Sequence, residues 1–274
     1  MTGLESSGHF EPSESEVREA ADFIRRSVPF RARLGIILGS GLGGVRDAFR
    51  SVMAFPYGEI PHFPVSSVQG HMGRLILASK GKLKVFIMDG RVHLYEGYSF
   101  GRVTFPVHVL RELGVSAMII TNASGGVSPK VTPGDLLLIE DHVDLMWRGV
   151  PGMSDGPQTW HRPYYSRRLG DLAEETATRA GISLKRGVLV ASTGPSYESR
   201  AEVEFARKIG ADAATMSTVP EVTVCHRLGI AVLGLSLITN VAPAGGAGHE
   251  EVVAAAKKGS RNLQKLILEV ARHI

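Results

Sequence analysis

Leu34-Gly35-Ile36-Ile37-Leu38-Gly39-Ser40-Gly41-Leu42-Gly43-Gly44 is the stretch on which the reading of this chain turns. A short apolar run ending in a glycine cluster reads as a buried strand feeding a loop. Glycines 39, 41 and 44 satisfy the GxGxxG spacing, a weak signal when it stands alone. A dinucleotide site also needs an acidic residue about twenty positions on, at the tip of a second strand. Glu59 has that spacing, but Phe55-Pro56-Tyr57-Gly58-Glu59-Ile60-Pro61 holds two prolines and makes a poor strand. A phosphate loop fits better, because successive backbone N–H groups form an anion nest and Ser40 adds a hydroxyl. A glycine turn without a ligand is the plainer alternative.

Outward from that loop, apolar runs alternate with amphipathic stretches. Ser13 and Glu16 fit a capping box for a helix over Glu14 to Val28, with Val17, Ala20, Ala21 and Ile24 on one face. Strands are expected at Leu83 to Met88, Leu136 to Glu140, Gly187 to Ser192 and Ala231 to Ile238. A further strand, Ala117 to Thr121, is stopped by Ala-Ser-Gly-Gly. Helices are expected at Phe105 to Leu113, Arg167 to Ala180, Arg200 to Ile209 (closed by Gly210), Val219 to Leu228 and His249 to Ile274. This alternation predicts an α/β fold with a central, mostly parallel or mixed sheet flanked by helices. Met146 to Tyr164, rich in Gly, Pro and aromatics, reads as a surface loop rather than a domain boundary. Residues 1–274 are therefore expected to form one domain, with residues 1–12 as a mobile tail.

The chain is 43% hydrophobic and 21% charged, which supplies a core and excludes disorder as the main state. Its formal charge of +4, without a basic block interleaved with aromatics, does not predict nucleic-acid binding and suits a small anionic substrate. No apolar run approaches the roughly 18 residues of a membrane helix. Met1 to Ser15 lacks the basic start and apolar stretch of a signal peptide, so a cytoplasmic location is expected. The single cysteine, Cys225, excludes an intramolecular disulfide framework or cysteine-cluster zinc site and reads as a packing residue.

Four strand ends carry small polar donors. Asp89-Gly90-Arg91-Val92-His93-Leu94-Tyr95-Glu96-Gly97 follows an apolar strand, where open α/β sheets bind ligands. Arg91 and His93 share a face of extended chain, and Arg can fork onto two phosphate oxygens while His adds a donor. The alternative is a surface Arg beside a hydrogen-bonded core His. Gly70-His71-Met72-Gly73-Arg74 is a second glycine-flanked histidine. Thr121-Asn122-Ala123-Ser124-Gly125-Gly126 repeats the strand-then-glycine pattern, and Ser217 stands near a helix start, where anions are favoured.

With Gly194-Pro195-Ser196-Tyr197-Glu198, Met216-Ser217-Thr218-Val219-Pro220-Glu221-Val222 and Ile238-Thr239-Asn240 added, the chain resembles the trimeric type of purine nucleoside phosphorylase from about Leu34 onward. The resemblance implies cleavage of a purine nucleoside by inorganic phosphate, a co-substrate, with no cofactor and no metal. It implies a phosphate site of Ser40, His71, Arg91, His93, the Ala123 N–H and Ser217. Tyr95, Met216 and His249 would meet the ribose; Tyr197, Glu198 and Asn240 would meet the purine. Asn240, Glu198 and His93 would be catalytic. It also implies a homotrimer. An Asn at position 240, where related methylthioadenosine phosphorylases carry Asp, predicts inosine and guanosine over adenosine; the alternative for Asn240 is a strand-end cap. Methylthioadenosine phosphorolysis and a non-catalytic nucleotide-binding module are the competing functions.

Three features depart from the family pattern. Val241 to Gly248 is short and nearly featureless, and it is expected to be mobile until ligand binds. Trp160 is the candidate for the aromatic that a neighbouring subunit lends to the ribose pocket, with a hydrophobic loop anchor as the alternative. Ser124 stands where the family often has Ala, adding a hydroxyl near the phosphate.

Overall fold

The computed structural model describes residues 11–66, 72–146, 163–241 and 249–274, with side chains in the last stretch from residue 257 onward. Among the described residues nine strands form one sheet: β1 (Leu34–Leu38), β2 (Arg50–Pro56), β3 (Arg74–Lys80), β4 (Leu83–Asp89), β5 (Ala117–Gly126), β6 (Leu136–Asp144), β7 (Leu184–Ala191), β8 (Ala213–Thr215) and β9 (Ala231–Val241). The α-helices described with them are α1 (Glu14–Ser27), α2 (Phe100–Glu112), α3 (Arg167–Ala180), α4 (Arg200–Lys208), α5 (Val219–Arg227) and α6 (His249–Ala271).

Strand order is β2-β3-β4-β1-β5-β8-β7-β6-β9. The centre, β4-β1-β5, is parallel and β9 pairs parallel with β5 as well. Because β9 also pairs with β6, strands β5, β8, β7, β6 and β9 close into a ring. Antiparallel β2 and β3 extend the other edge, so the sheet is mixed.

Period-two alternation divides the central strands between two cores. Ile37, Phe86, Met88, Met118 and Ile120 face one side, against Ala20, Ala21 and Ile24 of α1, Phe105 and Leu110 of α2 and Val222 and Cys225 of α5. Leu34, Ile36, Leu38, Val85, Ile87 and Ile119 face the other, against Leu169, Ala173 and Ala177 of α3 and Leu263, Leu266 and Val270 of α6. The result is the expected single-domain sheet with helices on both faces.

Several local expectations are corrected. The strand from Ala117 does not stop at Thr121. It runs to Gly126 because β9 pairs with it throughout and β8 pairs with its last two residues; the glycines are absorbed by a register shift between Ser124 and Gly125. An unexpected edge strand, β2, ends on Pro56, and the rest of the two-proline stretch is not strand, with Tyr57–Glu59 in a 3-10 turn, as its composition suggests. Ser13 caps α1 by accepting from Ser15 N, but Glu16 completes no box. Its carboxylate turns instead to His62 at 3.5 Å and Arg102 at 3.4 Å. Helix α2 starts at Phe100, earlier than expected, because Ser99 accepts from the Arg102 N–H. Of the expected tail, Glu11 is described, and its carboxylate bonds Arg227. Among the described residues no helix is long and apolar enough to cross a membrane.

Candidate active site

The carboxyl ends of the strands converge on one cavity of about 660 Å³. Its wall includes Gly39 and Ser40 after β1, Arg91 and His93 after β4, Asn122 to Gly125 of β5, Tyr197 and Glu198 after β7, Ala214 to Ser217 around β8, and Thr239 and Asn240 of β9. Ligands of open α/β sheets sit at this end.

Two amides of the glycine loop are turned inward. The Gly39 N–H donates to Thr121 Oγ1 at 3.1 Å and the Leu42 N–H to the Gly39 carbonyl at 3.2 Å, so these amides are satisfied internally. Gly43 already opens a short 3-10 turn. What the loop places on the wall is Gly39 and the exposed Ser40. Gly39 is needed for close approach: a Cβ there would lie 2.7 Å from Asn122 Cα.

Arg91 is neither on the surface nor swinging freely; it is 3% exposed. Its Nη1 donates to Thr218 Oγ1 and Glu221 Oε1, each at 3.2 Å, and Nη2 donates to the Thr121 carbonyl. Burial pulls its pKa down and the Glu221 carboxylate opposes that, so a buried ion pair holds the cation under the cavity floor. His93 is fixed by Glu96, whose Oε1 accepts from the His93 N–H at 2.7 Å and lies 3.1 Å from Nδ1. The two contacts to Glu96 fix the orientation of the ring. Tyr95 stacks on the His93 ring, centroids 4.7 Å apart and 12° from parallel. Tyr95 itself is not on the cavity wall; burial raises its phenol pKa, and the Glu96 carboxylate adds to this.

Ser217 and Thr218 form the entry to α5. The Val219 N–H reaches back to the Ser217 carbonyl at 2.8 Å, and Thr218 takes φ 76°, ψ −52°, a γ-turn that is rare and strained outside glycine. The turn leaves Ser217 on the wall at the helix N-terminus and the Thr218 hydroxyl beneath it. Across the cavity, Asn240 Oδ1 accepts from the Thr239 hydroxyl at 3.0 Å, which leaves its amide N–H groups as the donors not used by that bond. Glu198 Oε1 accepts from the Ser192 hydroxyl at 3.0 Å. Tyr197 is 85% exposed, an aromatic face held open at the rim. Gly194, at φ 72°, lets this loop pack on Met216: a Cβ would fall 2.4 Å from Met216 Sδ.

The cavity thus gathers Ser40, Arg91, His93, Ala123, Met216, Ser217, Tyr197, Glu198 and Asn240. His71 and Trp160 lie outside the described residues, and His249 opens α6 with its side chain likewise outside them. Ser124 lines the wall, yet its hydroxyl is bonded to Ser236 at 2.5 Å. Sequence reasoning missed Glu96, Thr218 and Glu221 as partners. All three lie inside the quoted motifs, but no spacing rule pairs Arg91 with a carboxylate so far along the chain.

A sequence profile of the phosphorylase superfamily matches residues 33–272. Purine nucleoside phosphorylase 1 of Geobacillus stearothermophilus is 41% identical, covering 96% of this chain and 98% of that protein. The purine nucleoside phosphorylase of Bos taurus is 38% identical, covering 92% of each. A crystal structure of isoform 2 of the Schistosoma mansoni purine nucleoside phosphorylase, with cytosine and ribose-1-phosphate, superposes with a TM-score of 0.86 at 34% identity, covering 96% of this chain and 98% of that one. A Schistosoma mansoni purine nucleoside phosphorylase in complex with adenosine gives 0.83 at 32% identity, over 94% and 96%. With a profile spanning most of its length and relatives matched nearly end to end, the chain belongs to the phosphorylase superfamily, among the purine nucleoside phosphorylases.

Proposed function

We propose that the cavity performs reversible phosphorolysis of 6-oxopurine (deoxy)ribonucleosides such as inosine and guanosine, releasing the base and (deoxy)ribose 1-phosphate. The observation that carries this is the convergence, around one cavity, of anion donors with a carboxylate and an amide. Ser40, Arg91, His93, the Ala123 N–H and Ser217 hold phosphate, with His71 joining from outside the described residues. Tyr197, Glu198 and Asn240 hold the purine; Met216 and His249 border the ribose, with Tyr95 backing this side through its stack on His93.

Breaking the glycosidic bond builds positive charge on the sugar, as in glycoside hydrolysis. Bound phosphate stabilises that charge and supplies the attacking oxygen. Its bond to C1′ forms as the C1′–N9 bond breaks, and the electron pair leaves with the base. Asn240, its oxygen occupied by Thr239, donates toward N7 and stabilises the departing negative charge. Glu198 accepts from the N1–H that a 6-oxopurine carries and adenine lacks. His93, its ring held in place by Glu96, orients toward phosphate as a donor. No cofactor or metal enters these steps.

A homotrimer, with Trp160 of a neighbouring copy closing the ribose pocket, and a cytoplasmic setting belong to the same proposal. Methylthioadenosine or adenosine cleavage is the second reading, favoured by the Schistosoma mansoni relative that holds adenosine. Phosphorus NMR of the protein with inosine and orthophosphate tests the reaction. The expected result is conversion of orthophosphate to ribose 1-phosphate; free ribose with orthophosphate unchanged would assign hydrolysis. Sedimentation tests the assembly, with a trimer mass expected and a monomer contradicting it.

A further inference from the structure

A continuous hydrogen-bond chain runs through the layer beneath the cavity and joins β5, β9 and the start of α5. Ser124 Oγ lies 2.5 Å from Ser236 Oγ, and Ser236 Oγ donates to Asn122 Oδ1 at 2.5 Å. Asn122 Nδ2 donates to Thr218 Oγ1 at 2.8 Å, and Thr218 Oγ1 lies 3.3 Å from Ser217 Oγ. Arg91 Nη1 joins at Thr218 Oγ1. Ser124, Asn122, Thr218 and Ser236 are buried, Thr218 and Ser236 completely.

Counting donors and acceptors gives this chain a direction. A guanidinium has donors only, so Thr218 Oγ1 accepts from Arg91. It accepts a second time from the Asn122 amide nitrogen. Both lone pairs of a hydroxyl are then used, and its single hydrogen goes to the remaining neighbour, Ser217 Oγ. Ser217 accepts there, so its own hydrogen is left to Thr215 Oγ1, 3.3 Å away, or to an anion in the cavity. At the other end, Ser236 spends its hydrogen on Asn122 Oδ1, so Ser124 must be the donor to Ser236. Every hydrogen along the path points from Ser124 toward Ser217.

We propose that Ser236 and Ser124 are positioning residues for anion binding: they hold the Asn122 amide in the one orientation that makes Ser217 a dedicated donor to the cavity. In the flipped amide, oxygen would face Thr218, the Thr218 hydrogen would turn to it, and Ser217 would turn its hydrogen back to Thr218. Neither serine touches substrate in this account; both act through Asn122. The inference rests on the phosphate site of the proposed function.

The test is calorimetric titration of inorganic phosphate into the wild type, Ser236→Ala and Ser124→Ala, with KM for phosphate and for nucleoside measured on each. Ser236→Ala leaves Asn122 Oδ1 without its donor and frees the flip. Phosphate affinity is expected to fall about tenfold, one charge-assisted hydrogen bond, while nucleoside KM stays within about twofold. Ser124→Ala leaves the Ser236–Asn122 bond in place, so a smaller loss, about threefold, is expected, again confined to phosphate. That second variant decides the matter should Ser236→Ala fail to fold. Unchanged phosphate affinity in the folded variants, or a parallel rise in both KM values with a lowered Tm, would overturn the inference and leave a packing role. A wild type that binds no phosphate would instead overturn the phosphate site itself, and this inference with it.

Discussion

In the proposed site, base choice rests on Asn240. The Thr239 hydroxyl lies 3.0 Å from its oxygen, and the proposal gives its amide hydrogens to the base. Asn240→Asp removes that donor and offers an acceptor or a protonated acid to the ring. The ratio of kcat/KM for adenosine over inosine is expected to rise at least about tenfold, since a site built on hydrogen bonds discriminates steeply when one is mismatched. An equal fall on both nucleosides, measured by initial rates, would remove Asn240 from specificity. A second residue reports on stability. Asp135 Oδ2 accepts from the Thr132 N–H at 2.7 Å, the Thr132 hydroxyl at 2.9 Å and Lys185 Nζ at 2.7 Å. Burial works against the charge, but these bonds prevail and hold the carboxyl below its ordinary range. A depressed carboxyl stabilises the fold above its unfolded pKa, and that contribution is lost as pH falls through the folded value. Asp135→Asn is expected to cost about 1–2 kcal/mol at neutral pH, and the gap to the wild type should narrow at a pH below the ordinary carboxylate range. Urea unfolding at the two pH values checks this; a constant gap would contradict it.

At the scale of elements, the meeting of β1 with β5 is the joint that shapes the cavity. The Gly39 backbone sits so close to Asn122 Cα and the Thr121 carbonyl that a methyl group has no room. Gly39→Ala is expected to lower stability by about 2 kcal/mol or more, because a backbone neighbour cannot yield as a flexible side chain can. It should also weaken phosphate binding, by shifting Asn122. An unchanged urea midpoint would show that the strands part without cost. The parallel strands and their helices were legible because each carries its own periodicity: Leu34–Leu38 and Arg167–Ala180 fall where the pattern places them. The missed parts depend on partners remote in sequence. Strand β2 is mostly exposed and carries no apolar alternation. The second half of β5 is glycine-rich and becomes strand only because β9 and β8 flank it. The same holds in the site. Arg91, His93 and Ser217 read as donors at strand ends and Glu198 and Asn240 came in only through the family resemblance, whereas the Glu221 clamp on Arg91 and the Ser236–Asn122 link needed the folded ring.

At the scale of the whole molecule, two cores grip the sheet and the cavity opens at one end of it. Cys225, the sole cysteine, lies on the buried face of α5 in the first core, and burial pushes its thiol pKa far up. A thiol held protonated is inert, so an aromatic disulfide reagent should label the native protein only as fast as it unfolds. Labelling within seconds, without denaturant, would mean that α5 lifts from the sheet in the native state, and with it the Ser217 turn. The fold, the family and the cavity meet in the proposal that this end of the sheet cleaves 6-oxopurine nucleosides with phosphate. The most direct measurement is base release from inosine, guanosine and adenosine, each with and without orthophosphate. The account predicts release from inosine and guanosine only, and only with phosphate present. Release that is indifferent to phosphate, or fastest from adenosine, would contradict it.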